Sequence, residues 1–181
     1  MARGLLVIDI QRDYFPGGAV PLVDPEAAAA AARTVLDAFR AAGDPVVHLR
    51  HVWDSPEATF MRPGTPGVEI HPALAPVDSE PVLDKTEPNG FLGTGLVEEL
   101  EALDVDHLHV VGMMSSMCVD ATVRAAADLG LRVTVVHDGC AAPDLEFEGL
   151  AVPGAMVHAA FMAALADGYA DVVSSTDLLA R

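Results

Sequence analysis

HLHVVGMMSSMCVDATVRAAADLGLRVTVVHD, residues 107–138, reads as a strand, a polar turn, a helix and a second strand. HLHVVGM (107–113) and LRVTVVHD (131–138) are short, apolar and rich in β-branched side chains. Between them Val119, Thr122, Val123 and Ala126 recur at helical spacing, which predicts a helix from about Cys118 to Leu129. A strand that returns through a helix to a second strand makes a parallel pair.

The same alternation extends in both directions. GLLVIDI (4–10) is a continuous apolar strand ending in a charge, the pattern of a strand covered on both faces. DYFPGG (13–18) is a loop. Asp24-Pro25 reads as an N-cap and first helical position, and the helix runs through the alanine stretch to about Ala42, with Gly43 as its stop. PVVHLRHV (45–52) and EPVLDK (80–85) are the second and third strands, and a helix follows over about Gly95–Ala102. Residues 53–79 carry five prolines, two glycines and no periodicity, which makes them a long connection of the kind that serves as a lid or subunit contact. GCAAPDLEFEG reads as a loop, Pro153–Ala166 as a helix and YADVVSS (169–175) as an edge strand. The expectation is one α/β domain over residues 1–181: three layers, α/β/α, around a mostly parallel six-stranded, Rossmann-like sheet.

Composition excludes several classes of function. The formal net charge is −17, from 27 acidic and 10 basic residues, and no Lys/Arg cluster exists, so nucleic acid and anionic membranes are not expected partners. The N-terminal apolar run LLVIDI is six residues long and contains an acid, which does not read as a secretory signal. No run approaches the length of a membrane span. Two cysteines, Cys118 and Cys140, are too few for a disulfide framework, and a reducing cytoplasm is the simpler setting. There is no G-x-G-x-x-G after the first strand and no phosphate-binding GKS or GKT, so no nucleotide cofactor is expected.

In an open α/β sheet, ligands bind beyond the carboxyl ends of the strands. That edge collects Asp9, Gln11 and Asp13, then His51, Trp53 and Asp54, then Lys85 and Glu87, then Met113 to Cys118, then Asp138 and Cys140. Cys118 at a helix start suits a nucleophile, since free N–H groups and the helix dipole favour a thiolate; a buried packing role is the alternative. Cys140 reads as packing. Asp9 suits a general base toward that thiol, or a structural carboxylate paired with Arg12. Lys85 is the only lysine among ten basic residues. It suits a cation that holds Asp9 ionised, or a surface partner of Asp84 or Glu87.

Phe15, Trp53, Phe60 and Phe91 lie in segments bordering this edge and either wall a substrate pocket or pin loops. Gln11 orients the site or holds a loop. Ser115 is a substrate ligand or a turn residue, and Arg62 meets an anionic substrate or stays on the surface. His48, His51, His71 and Asp54 are near in sequence, but His48 and His51 face opposite sides of a strand. No metal site is expected from them.

VIDIQRDYF (7–15), LDKTEPNGFLGTGL (83–96) and VVGMMSSMCVDATVRAAADLG (110–130), with VVHDGCAA and VHAAFMAAL after them, resemble the isochorismatase-like cysteine hydrolases. That group includes nicotinamidases and N-carbamoylsarcosine amidohydrolase. The resemblance covers nearly the whole chain. It implies that Asp9, Lys85 and Cys118 form the family's Asp/Lys/Cys triad. It implies a cis peptide at Met113–Met114 and an oxyanion hole from the N–H groups of Met114 and Cys118. It also implies a homo-oligomer, dimer or tetramer, acting on a small molecule. The metal-binding Asp and His cluster of nicotinamidases is not reproduced after the second strand. Isochorismatases proper generally lack the cysteine. The expected activity is therefore cysteine-dependent hydrolysis of an amide, carbamoyl or ureido C–N bond through a thioester. The alternatives are a metal-assisted nicotinamidase-type amidase and a non-hydrolytic reactive-thiol protein.

Overall fold

The computed structural model describes residues 2–181. Six strands form one parallel sheet: β1 (Ala2–Ile8), β2 (Val46–His51), β3 (Val82–Lys85), β4 (Val105–Met113), β5 (Arg132–Ala141) and β8 (Asp171–Val173), in the spatial order β3-β2-β1-β4-β5-β8. Five helices flank it: α1 (Pro25–Ala42), α2 (Leu96–Ala102), α3 (Asp120–Asp128), α4 (Gly154–Ala166) and α5 (Ser175–Leu179).

The unbroken apolar run of β1 has the expected cause. Leu5 and Val7 pack with α1 and α5, while Leu6 and Ile8 pack with α2, α3 and α4. All four are essentially inaccessible, and each contributes about 1.5–3 kcal/mol by leaving water. On α1, Ala28, Ala29 and Ala32 are buried beside Val35, Leu36 and Phe39, and their small side chains let the helix lie close to the sheet. Gly43 ends it in the left-handed region at φ 73°, its N–H returning to Arg40 and Phe39. Asp24 precedes it as anticipated, but with φ 48° and no side-chain capping bond.

Three local features differ from the expectation. Residues expected to form a loop contain an antiparallel hairpin, β6 (Leu145–Phe147) and β7 (Leu150–Val152), turned by Glu148 and Gly149, both at positive φ. The helix after β4 does not begin at Cys118. Ser115–Val119 form a wide π-type turn first, and α3 starts at Asp120. β5 is longer than predicted and contains Asp138 and Cys140, with an irregularity in its pairing to β4 between Val110 and Gly112.

Residues 53–79 are tied down rather than loose. Met61, Val68 and Leu74 are buried, and Gln11 bridges to Ile70 in a one-pair ladder. The sheet reverses its strand order between β1 and β4, so the crevice beyond their carboxyl ends is where this topology places a ligand.

Candidate active site

The crevice is lined by segments from four adjacent strands. Asp9 leaves β1 with φ 50°, a left-handed conformation that costs a non-glycine residue of order 1–3 kcal/mol. Its N–H bonds Leu49 O and its carbonyl accepts from Gln11 N, so the neighbouring chain holds it there. Lys85 ends β3. Cys118 lies in the π-type turn after β4, just beyond the Met113–Met114 peptide, which is cis.

These three side chains meet on one ammonium. Lys85 Nζ lies 2.7 Å from Asp9 Oδ2, and both side chains are fully buried. The same nitrogen donates to Cys118 Sγ at 3.2 Å and to Glu87 O at 3.0 Å. His51 Nδ1 is a fourth neighbour at 3.1 Å. An ammonium has no acceptor, so this contact requires Nδ1 to accept and puts the His51 proton on Nε2.

Burial dominates the electrostatics. It raises Asp9 above the usual carboxylate range, against the opposing pull of Lys85. Burial, with the Asp9 charge behind it, also pushes the Cys118 thiol well up, and Lys85 only partly offsets this. Burial lowers Lys85, but the charges of Asp9 and Cys118 more than reverse it, so the lysine stays protonated. Burial and Lys85 hold His51 down to about 4, hence neutral at neutral pH. Burial therefore outweighs the preference for a thiolate expected at a helix start and favours the protonated thiol at Cys118.

A cavity of about 220 Å³ opens onto Cys118. Its walls are Tyr14, Trp53, Phe60, Pro88, Met114 and Met117, with His51 and Thr86 as further polar groups. Trp53 meets Phe60 edge to face at 5.3 Å.

Of the residues nominated from sequence, Trp53, Phe60, Met114 and Cys118 line this cavity, and Asp9 and Lys85 lie behind it. The others lie elsewhere. Phe15 is buried in the core, stacked on His71 at 3.9 Å. Phe91 packs beneath the sheet with Leu96 and Leu100 of α2. Gln11 is fully buried. Its amide donates to His51 O and Val68 O and accepts from His51 N, which fixes the strand end carrying His51. Ser115 is buried against His158 Nδ1 at 2.8 Å and does not line the cavity. Arg12 does not pair with Asp9. Tyr14 and His51 line the cavity without having been singled out for it. His51 was visible as a polar strand end, whereas Tyr14 carried no signal beyond its loop.

Asp9, His51 and Cys118 offer ligand atoms within 4.8 Å of one another, a donor set that could suit a metal ion. The Lys85 ammonium already contacts all three. A divalent cation would have to displace it or sit against its charge, so this set does not fit a metal while Lys85 is in place. The other candidates are scattered: His48 is buried on Glu80, His71 lies on Phe15 and Asp54 is exposed.

Comparison with known proteins agrees with this architecture. The isochorismatase domain model matches residues 3–177. The isochorismatase family protein YddQ of Bacillus subtilis, of uncharacterised activity, is 46% identical over 179 residues, covering 99% of both chains. A streptothricin hydrolase of Streptomyces noursei is 40% identical over 173 residues, covering 91% of this chain and 60% of that protein. A crystal structure assigned as an isochorismatase hydrolase of Oleispira antarctica superposes with a TM-score of 0.96 at 46% identity, covering 99% and 97%. The N-carbamoylsarcosine amidase of Thermoplasma acidophilum gives 0.79 at 28% identity, covering 97% of each. With the sheet order, the crevice and these matches together, the chain belongs to the isochorismatase family of hydrolases.

Proposed function

We propose that this protein hydrolyses a C–N bond of a small molecule, using Cys118 as nucleophile, Asp9 as general base and Lys85 as their shared cation. The observation that carries this reading is the contact of one buried ammonium with both the carboxylate and the sulfur, at 2.7 and 3.2 Å. A proton passing from Cys118 to Asp9 moves the negative charge from Oδ to Sγ. Both positions touch Lys85, so the ion pair survives the transfer and the thiolate forms without a free charge in a dry site.

The thiolate then attacks the acyl carbon. The N–H groups of Met114 and Cys118 serve as the oxyanion hole for the developing O⁻. Asp9, now protonated, gives its proton to the departing nitrogen as the C–N bond breaks and a thioester remains. Water enters and loses a proton to Asp9 as it attacks the thioester. Sulfur leaves and takes that proton back from Asp9, which restores the thiol and the carboxylate, and the acid product is released. The apolar walls from Trp53, Phe60 and Met114 exclude bulk water and suit a flat acyl group. A C–N substrate accords with the amidase named among the similar structures. The arrangement routes no step through a metal.

The reactive-thiol alternative has less support, because redox-sensing cysteines are exposed and of low pKa, whereas Cys118 is buried and its pKa is raised. We also infer self-association. α4 carries no Asp, Glu, Lys or Arg, and Met156 on it is exposed, as are Phe147 and Leu150 of the β6–β7 hairpin. Such apolar surface on a chain of net charge −17 suits a second copy. Among the described residues no helix is long and apolar enough to cross a membrane.

The test is a screen of amides, carbamoyl acids and ureido acids with wild type and C118A. The expected result is a substrate whose turnover disappears in C118A, with an acyl adduct on Cys118 trapped by mass spectrometry. Retained turnover in C118A overturns the reading.

A further inference from the structure

Six of the nine arginines are paired with a carboxylate. Arg3, Arg33, Arg40, Arg50, Arg124 and Arg181 pair with Asp44, Asp37, Glu80, Asp84, Asp120 and Asp171. Among the described residues Arg12, Arg62 and Arg132 have no carboxylate within ion-pair distance. In a protein with 27 acidic residues, two of these three line the same cavity, of about 520 Å³. Arg12 comes from the turn after β1 and Arg62 from the long loop, so two separate segments of chain each contribute an arginine to one cavity.

Gly18 and Gly67 pack directly against Asp13 in the lining of that cavity: a Cβ at Gly67 would strike the Asp13 carboxylate, and one at Gly18 would strike the Asp13 carbonyl. Asp13 is the one carboxylate lining the cavity, and it is engaged elsewhere. Oδ1 accepts from Ala19 N at 3.1 Å and Oδ2 from Met61 N at 2.6 Å. It holds the loop and leaves the arginines free. Phe60 lines both this cavity and the Cys118 cavity, so the two adjoin across one ring.

We propose that Arg12 and Arg62 form an anion subsite that seats a carboxylate at the far end of the substrate, with Phe60 between it and the bond cleaved at Cys118. The proposal rests on the hydrolase reading above. Guanidinium groups bind carboxylates through paired, charge-assisted hydrogen bonds, which a neutral substrate cannot return.

The experiment uses C118A protein, where binding is read without turnover. The probes are ω-ureido carboxylic acids of increasing chain length, each matched with the alcohol in which a hydroxymethyl group replaces the carboxylate. Calorimetric titration is expected to show the acids binding about tenfold more tightly at chain lengths that span both cavities, and less so at high salt. In R12Q and R62Q the acid-to-alcohol ratio falls toward one. In R132Q, which alters the third unpaired arginine at the opposite end of the sheet, it does not. No binding of any acid, equal binding of acid and alcohol at every length, or a ratio that survives in the R12Q/R62Q double variant overturns the subsite. Wild-type turnover separates the two readings. Acids that bind as expected but are never cleaved leave the subsite standing and count against the hydrolase reading. Cleavage of neutral ureido compounds with no acid preference does the reverse.

Discussion

Lys85 Nζ and Asp9 Oδ2 are 2.7 Å apart with no exposure of either side chain, and that pair is the structural centre of the crevice. Removing one partner strands the other charge in a dry environment, which costs about 3–5 kcal/mol. K85M is therefore expected to unfold at markedly lower urea concentration than wild type. The double variant D9N/K85M should recover much of that loss. Both single variants should lose turnover nearly as completely as C118A, since the proton transfer needs the base and the cation together. Urea denaturation and steady-state kinetics on the four proteins check this, and additive stability losses in the double variant would count against a coupled pair.

The pH dependence of activity follows from the same burial. Asp9 must be ionised to accept the thiol proton, and its pKa is raised above the ordinary 3.8. The acid limb of kcat/KM should therefore lie above that value. Cys118 and Lys85 are both raised, so no alkaline change near an ordinary free-thiol pKa is expected. A pH–rate profile with an inflection near 8.5 attributable to Cys118 would contradict this assignment.

Stability has a separate acid signature. His51 and His109 both titrate at about 4 in the fold, against 6.5 as free groups. Between those values the unfolded chain binds protons that the folded chain refuses, so stability falls as the pH drops from 6.5 through 4. Asp9 acts in the opposite sense, because its raised pKa makes the folded state take up a proton first. H51Q should flatten the decline relative to wild type over this window, measured by urea unfolding at several pH values. An unchanged slope in H51Q would show that His51 is not the group responsible.

The parallel sheet and the strand ends at Asp9 and Lys85 were legible because apolar runs ending in charge are a long-range signal of a doubly covered sheet, and Cys118 was legible as the thiol in the polar turn that follows β4. The pocket was less so. Trp53 and Phe60 reached it, but Phe15 and Phe91, in equally plausible loops, turned into the core, since a loop's sequence does not encode which way its aromatic side chain faces. The hairpin at 145–152 escaped because its strands are three residues long and its turn is Glu148-Gly149 instead of the commoner Asn-Gly. The periodic positions Val119, Thr122, Val123 and Ala126 mark the helix but not its first turn, so the sequence puts the start at Cys118, two residues before α3 begins at Asp120.

Gly112 pairs with Ile8 where β4 runs beside β1 next to the crevice. It sits at φ 155°, and a Cβ there would fall 2.4 Å from Ile8 O, a backbone atom that cannot swing aside. G112A should cost about 3 kcal/mol or more and lower turnover as well, because Asp9 directly follows Ile8. Thermal unfolding and kcat/KM of G112A measure both effects. A change within about 0.5 kcal/mol would mean that the strands can separate here without penalty.

Self-association should depend on the uncharged face of α4 and the hairpin. Met156, Phe147 and Leu150 are 63%, 73% and 68% exposed, high values for large apolar side chains. Light scattering after size exclusion is expected to give a mass at least twice 18.9 kDa for wild type. M156D and F147D place charge on this surface and should shift the species toward monomer, and more strongly at low salt, where repulsion within a chain already at −17 is least screened. A wild-type monomer at high concentration, or an oligomer indifferent to both substitutions, would assign the interface elsewhere.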